Sequence, residues 1–301
     1  MAVVVDVRDA VKVFGAVRAV DGVTLSVNTG EVVALLGPNG AGKTTCVSLM
    51  IGLRKPTSGS ATLFGFTPAD VRARSRCGVM LQESGLPSFL TVRETIDLFR
   101  TYYPAPLAAD AVIDLIGLEE KARAQVHTLS GGQQQRLYFG LAMCGNPELL
   151  FLDEPTVGLD VEARRGFWTH VKAFVRSGRT VVLTTHYLEE ADALADRIAV
   201  INQGEIIAEG TPAEIKAQTS GKRIRCLTAL SIASLLQIPG VTDVRQDREA
   251  VEIHAREAEP VVRSLLARDS SLSGLEITSA GLEEAFLALT KDNGENANGQ
   301  N

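Results

Sequence analysis

The residues best suited to chemistry stand together as Gly37-Pro38-Asn39-Gly40-Ala41-Gly42-Lys43-Thr44-Thr45, directly after the apolar run Val32 to Leu36 and ahead of an amphipathic stretch ending near Leu53. The spacing G-x-x-x-x-G-K-[ST] lets backbone NH groups, unhindered by side chains at the glycines, wrap the phosphates of a nucleotide. A helix beginning at the same place adds unsatisfied NH groups and the positive end of its dipole. Lys43 is then placed to bridge the terminal phosphates, and Thr44 offers a hydroxyl to Mg²⁺. A glycine-rich turn that happens to precede a helix is the plainer alternative. With average glycine usage the full pattern arises by accident in a chain of this length on the order of once in a hundred.

Other stretches end in groups that suit the same chemistry. Leu149-Leu150-Phe151-Leu152-Asp153-Glu154-Pro155 is a continuous apolar strand of the parallel-sheet kind that terminates in two carboxylates. Open α/β sheets place their ligands at the carboxyl ends of strands, where Asp153 can hold a metal and its water and Glu154 can accept a proton from an attacking water. A solvated strand end is the alternative. Thr180 to Thr185 is a β-branched strand ending in His186, which brings a third polar terminus toward the crevice of Lys43 and Glu154. Leu129-Ser130-Gly131-Gly132-Gln133-Gln134-Gln135-Arg136 sets a Ser-Gly-Gly turn where a helix begins, a second anion-binding helix start. Phe14, before Gly15, could stack its ring on adenine, and Gln82 closes a short strand. Taken singly, these last two read as ordinary packing and a polar strand exit.

The elements that must position these groups follow from periodicity. Val3 to Val7 and Gly22 to Val27 alternate as antiparallel edge strands, Ser60 to Phe64 and Val79 to Leu81 read as further strands, and Trp168 reads as core packing on the helix after Asp160. From residue 88 to about 147 the pattern turns helical and looks like an insertion. At 301 residues, length favours about two domains. No apolar run approaches the roughly 18 to 20 residues that span a bilayer, and no secretory leader is evident. Cys46, Cys77, Cys144 and Cys226 are too scattered to suggest a disulfide framework or a zinc site. A formal net charge of -6 argues against a nucleic-acid platform.

Taken in order, GPNGAGKTT, Gln82, LSGGQQQR, LLFLDEP, the turn Gly158-Leu159-Asp160 and His186 resemble the ATP-binding subunit of an ATP-binding-cassette (ABC) transporter, over residues 1 to about 215. The carboxyl extension ending in Ala280 to Thr290 is similar to that of drug and antibiotic exporters of the daunorubicin type. The resemblance implies an α/β ABC-type P-loop ATPase domain with a mixed sheet core, an antiparallel β subdomain and a helical subdomain. It implies ATP and Mg²⁺ as ligands, with Thr44, Gln82 and Asp153 at the metal. Phe14 stands where the family stacks an aromatic on adenine, Gln82 touches metal or water, and His186 holds the γ-phosphate. It further implies a head-to-tail homodimer, in which Ser130 and Gly132, within the turn that includes Gly131 and Gln133, close over ATP on the opposite phosphate loop. Asp160 would link the two sites.

Without a span of its own, such a subunit drives a separate transmembrane permease and sits on the cytoplasmic face of the cell membrane. The contact surface is expected from Glu83 to about Tyr103, and a nucleic-acid partner is not expected. A soluble cassette ATPase acting on ribosomes or DNA, and a regulatory cassette, are the alternative classes. Residues 1–220 are expected to form the ATPase domain, 221–290 a small α+β domain and 291–301 a disordered tail. Arg223 to Thr228, Ser231 to Gln237, Val241 to Arg245, Val251 to His254, Pro260 to Ala267 and Leu275 to Ser279 read as βαββαβ, a ferredoxin-like order. Leu282, Phe286 and Leu289 lie on one face of a final helix.

Overall fold

The computed structural model describes residues 2–81, 85–218 and 222–279, with 282, 283, 285, 286, 289 and 290. The expected tail 291–301 lies outside them. The chain divides into two compact units, Met1–Thr211 and Pro212–Asn301.

In the first unit, alternating buried and exposed residues carry β1 (Val3–Phe14) and β2 (Val17–Asn28) into an antiparallel hairpin. Both strands run further than their clearest alternation, so Phe14 ends a strand instead of lying in a connection. β3 (Val32–Leu36) leads through the glycine loop into α1 (Lys43–Met50), which stops short of Leu53 because Gly52 takes a left-handed φ of 70°. β4 (Ser58–Leu63) pairs with β1, so β2-β1-β4 is a separate antiparallel sheet. α2 (Val71–Arg74) and β5 (Cys77–Met80) follow, and then the helical segment with α3 (Val92–Arg100), α4 (Ala109–Ile116) and α5 (Gly131–Met143). Thr91 and Glu94 close a capping box on α3, and Ser130 and Gln133 close another on α5.

β6 (Leu149–Asp153), α6 (Val161–Arg176), β7 (Thr180–Thr185) and α7 (Leu188–Leu194) continue the chain. β8 (Arg197–Asn202) and β9 (Glu205–Gly210), a hairpin that periodicity did not single out, complete a mixed sheet of order β5-β6-β7-β3-β8-β9. Its pairings are parallel from β5 through β8, with β9 antiparallel at the edge. The apolar run of β6 is explained by burial on both faces. Leu150 and Leu152 join a core with Leu137, Phe139 and Leu183, while Leu149 and Phe151 join another with Val33, Leu35 and Val182. The parallel register aligns Leu36 with Thr185 and Asp153 with Thr184, so Gly37, Glu154 and His186 leave the sheet side by side.

The second unit contains α8 (Pro212–Gln218), β10 (Lys222–Leu227), α9 (Ile232–Leu236), β11 (Val241–Asp247), β12 (Ala250–Ala255), α10 (Ala258–Arg268) and β13 (Ser273–Ser279). From β10 onward the succession is βαββαβ, with antiparallel strands ordered β11-β12-β10-β13, a ferredoxin-like arrangement. Ile224, Cys226, Leu235, Ile253, Val261 and Leu265 form its own core.

Candidate functional site

The loop between β3 and α1 is shaped by glycines that nothing else could replace. A Cβ on Gly37 would meet Ile201 O at 2.4 Å, and one on Gly42, held at φ 107°, would meet Ala19 O at 2.4 Å. The β8–β9 turn fixes the loop through Gly204, whose NH donates to Ala41 O at 2.9 Å and whose carbonyl accepts from Asp21 N at 2.9 Å. α1 therefore starts with no side-chain cap, and its first NH groups remain for an anion. Asn39, Gly40, Gly42, Lys43, Thr44, Thr45 and Glu154 line a cleft of about 310 Å³. Pro38 is exposed beside it, and Ala41 is buried.

Lys43 is almost wholly buried. Its Nζ donates to Gly37 O at 2.9 Å and Pro38 O at 3.2 Å and lies 3.3 Å from Oε1 of Glu154. The other oxygen of Glu154 is 3.3 Å from Nδ1 of His186. Glu154 itself has a left-handed φ of 50°, a conformation that costs a non-glycine residue about 1–3 kcal/mol. Two hydrogen bonds hold it there, from its NH to Thr184 O and to Thr184 Oγ1, both 3.1 Å. The same threonine hydroxyl donates to Asp153 Oδ1 in a short hydrogen bond. Thr184 was not among the sequence candidates. Its only signal was a pair of polar residues, Thr184 and Thr185, ending a strand just ahead of His186.

Asp153 tests the fit of a magnesium ion. It is 1 % exposed, and its Oδ2 finds no hydrogen-bond partner among the described residues. An orphaned buried carboxylate oxygen, together with the exposed Thr44 hydroxyl on α1, is a hard-oxygen donor set that suits Mg²⁺. Gln82 lies outside the described residues. Burial pushes the Cys46 thiol up to about 12, so this neighbour of the loop is no nucleophile.

Phe14 ends β1 and is 38 % exposed, and Lys12 Nζ and the Arg54 guanidinium lie 5.3 and 4.9 Å from its ring centroid. Those cations fix the ring's position. Ser130, Gly131, Gly132 and Gln133 open α5, where Ser130 Oγ accepts from Gln133 N at 3.3 Å and Gln133 Oε1 accepts from Ser130 N at 3.0 Å. Asp160 caps α6 by accepting from Ala163 N at 2.8 Å. Ser130, Gly132, Gln133 and Asp160 line another cleft, of about 610 Å³, which shares no residue with the cleft at the phosphate loop. A single chain thus brings Lys43, Asp153, Glu154 and His186 together and leaves the second helix start apart from them.

Residues 20–157 match the family described as ABC transporter. Along nearly its full length the chain is similar to the linearmycin resistance ATP-binding protein LnrL of Bacillus subtilis (strain 168), at 36 % identity over 93 % of this chain and 96 % of that one. It is similar also to the daunorubicin/doxorubicin resistance ATP-binding protein DrrA of Streptomyces peucetius, at 38 % identity over 95 % of this chain and 92 % of that one. Among solved structures, a dimeric ATP-binding cassette in a post-hydrolysis state bound to ADP and Pi superimposes with a TM-score of 0.63 at 28 % identity, covering 69 % of this chain and 98 % of that one.

Proposed function

The chain belongs to the ATP-binding subunits of the ABC transporter family, and from that premise we propose that two copies close around two ATP to drive export of an antibiotic-like or lipid-like compound through a separate membrane subunit. It is an ATPase. The observation that carries the residue assignment is the convergence of Lys43, Glu154 and His186, each within 3.3 Å of the next, at the carboxyl ends of neighbouring parallel strands.

In this reading Lys43 and the loop amides hold the β- and γ-phosphates, Phe14 stacks on adenine, and His186 contacts the γ-phosphate. Glu154 accepts the proton of the attacking water. Thr44, Asp153 and Gln82 would hold Mg²⁺, which when bound neutralises charge on the phosphate oxygens. Ser130, Gly131, Gly132 and Gln133 serve the other copy. Their cleft is separate from the phosphate loop of their own chain, so a second anion-binding helix start finds its phosphate on a partner. The solved dimeric cassette supports that arrangement, and Asp160 at the rim of the same cleft would link the two sites.

No helix of the described residues is long and apolar enough to cross a membrane. The contact for a membrane subunit is placed on the segment between Glu83 and Tyr103, where Phe89 is 80 % and Tyr102 66 % exposed. Export, and the substrate class, are taken from the relatives named for linearmycin and daunorubicin resistance. The unit after Thr211 is assigned an accessory role apart from nucleotide chemistry. Isolating the tagged chain from membranes tests the whole reading: a span-rich partner and ATP turnover should come with it. Recovery on ribosomes or DNA instead would overturn the transport role.

A further inference from the structure

Glu190, in the first turn of α7, is a fully buried carboxylate that the chemistry above does not use. Its Oε1 accepts from Trp168 Nε1 at 3.3 Å, whereas Oε2 has no hydrogen-bond partner among the described residues. Leaving such an oxygen unpaired costs about 1–3 kcal/mol, so its retention calls for an explanation. Burial pushes the carboxyl up, and the hydroxyls and indole of Thr185, Trp168 and Thr156 and the charge of Arg164 oppose that rise.

These neighbours belong to the segments that carry the site. Thr156 follows Glu154 closely in the chain, and its Oγ1 is likewise buried and without a partner. Thr185 immediately precedes His186, and its Oγ1 accepts from Tyr187 N at 2.9 Å. Arg164, one turn beyond Asp160 on α6, lays its guanidinium 4.4 Å from the Tyr187 ring, which is 4.2 Å from the His186 ring. Arg164 Nε is buried and also without a partner. The spare donors on Thr156 and Arg164 and the spare acceptor on Glu190 are complementary. They give this cluster a second set of hydrogen bonds to form when the loops shift.

We propose that Glu190 is a positioning residue for hydrolysis: anchored by Trp168 on α6, its spare oxygen accepts from Thr156 and Arg164 as the site closes, so that the loop leaving Glu154 and the strand end carrying His186 are set together. The proposal rests on the roles assigned above to Glu154 and His186.

The test is single-turnover ATP hydrolysis and ATP affinity of the full chain, comparing wild type with His186→Ala, Glu190→Ala, Glu190→Gln, Thr156→Val and the pair His186→Ala with Glu190→Ala. Glu190→Ala should slow hydrolysis about 10- to 100-fold while ATP affinity changes less than about 3-fold. Glu190→Gln should stay about 5-fold or more below wild type, because a carboxamide keeps an acceptor for Trp168 but puts a donor where the spare acceptor stood. Thr156→Val should slow hydrolysis about 3- to 10-fold. In the His186→Ala background, Glu190→Ala should cost no more than about 2-fold further, since the two act as one unit.

Wild-type rates per folded molecule in Glu190→Ala, wild-type rates in Glu190→Gln, or multiplying effects in the pair would each overturn the proposal. If Glu190→Ala fails to fold, the glutamine and Thr156→Val variants decide by the same criteria. Wild-type hydrolysis by His186→Ala would refute the underlying site assignment, and the proposal would fall with it.

Discussion

Lys43 and Glu154 form a nearly buried ion pair, Nζ to Oε1 3.3 Å, and the lysine also donates to two carbonyls of its own loop. A phosphate that takes this lysine therefore competes with the carboxylate proposed to activate water. In the proposed mechanism, nucleotide arrival and release of Glu154 share one interaction. A buried pair of this kind is weak evidence for stability, since desolvation offsets much of its attraction, but it is an effective interlock.

Glu154→Gln should accordingly bind ATP as tightly as wild type or more so, because an amide competes less well for Lys43. Its hydrolysis should fall about 10²- to 10⁴-fold, equivalent to roughly 3–5 kcal/mol of barrier. Equilibrium nucleotide binding and turnover on the same sample check both halves. Weaker binding would mean that the pair holds the loop in shape instead of competing with phosphate.

Lys43→Ala and Ser130→Arg should each abolish most activity alone, the first through the phosphate loop and the second by blocking closure. Mixed, they form a heterodimer in which one site carries both lesions and the other neither. Partial recovery of ATPase activity is expected, and subunit exchange without recovery would argue against independent shared sites.

Two glycines should respond in opposite senses to alanine. At Gly42, φ 107° and the Ala19 carbonyl 2.4 Å from the new Cβ make Gly42→Ala a loop distortion of about 1–3 kcal/mol that lowers ATP affinity. Gly166 lies inside α6 with nothing within 4 Å of a new Cβ, so Gly166→Ala should raise stability by about 0.5–1 kcal/mol. Thermal melts and nucleotide titrations separate the two effects.

In the second unit, hydrogen bonds from Ser271, Thr228 and Ala229 hold the Asp269 carboxyl well below the usual carboxylate range. A folded-state value below the unfolded one stabilises the fold above about pH 4, and that contribution is lost as acid brings the pH down toward the folded value. Protection of the amides across residues 222–279, measured against the intrinsic exchange rate at each pH, should fall in acid. Asp269→Asn should lower that protection already at neutral pH and weaken its dependence on acid.

The convergence of Lys43, Glu154 and His186 is legible in the sequence because each sits where a motif and a strand end coincide. Lys43 follows one buried strand, Glu154 a second and His186 a third, and parallel sheets align such ends. Thr184 and Glu190 escaped notice for a physical reason. Their partners are Asp153, Glu154 and Trp168, brought close by sheet register and helix packing rather than by spacing along the chain. The hold of Gly204 on Ala41 was equally hidden, since the β8–β9 hairpin was not read as such. Phe14 was identified as a ring near a glycine, but the strand that carries it and the cations beside it became evident only with β1 paired along its length.

The position of β3 between β7 and β8 has a consequence for how the chain comes into being. Both hydrogen-bonding edges of the strand that feeds the phosphate loop wait for residues made about 150 positions later, and the loop itself waits for Gly204. A growing chain leaving its site of synthesis at about 5–20 residues per second carries β3 with neither neighbour for on the order of ten seconds. Contacts of such long sequence separation form slowly and leave apolar strands uncovered meanwhile. The early hairpin of β1 and β2, local and quick to close, can shield part of that surface while the rest arrives.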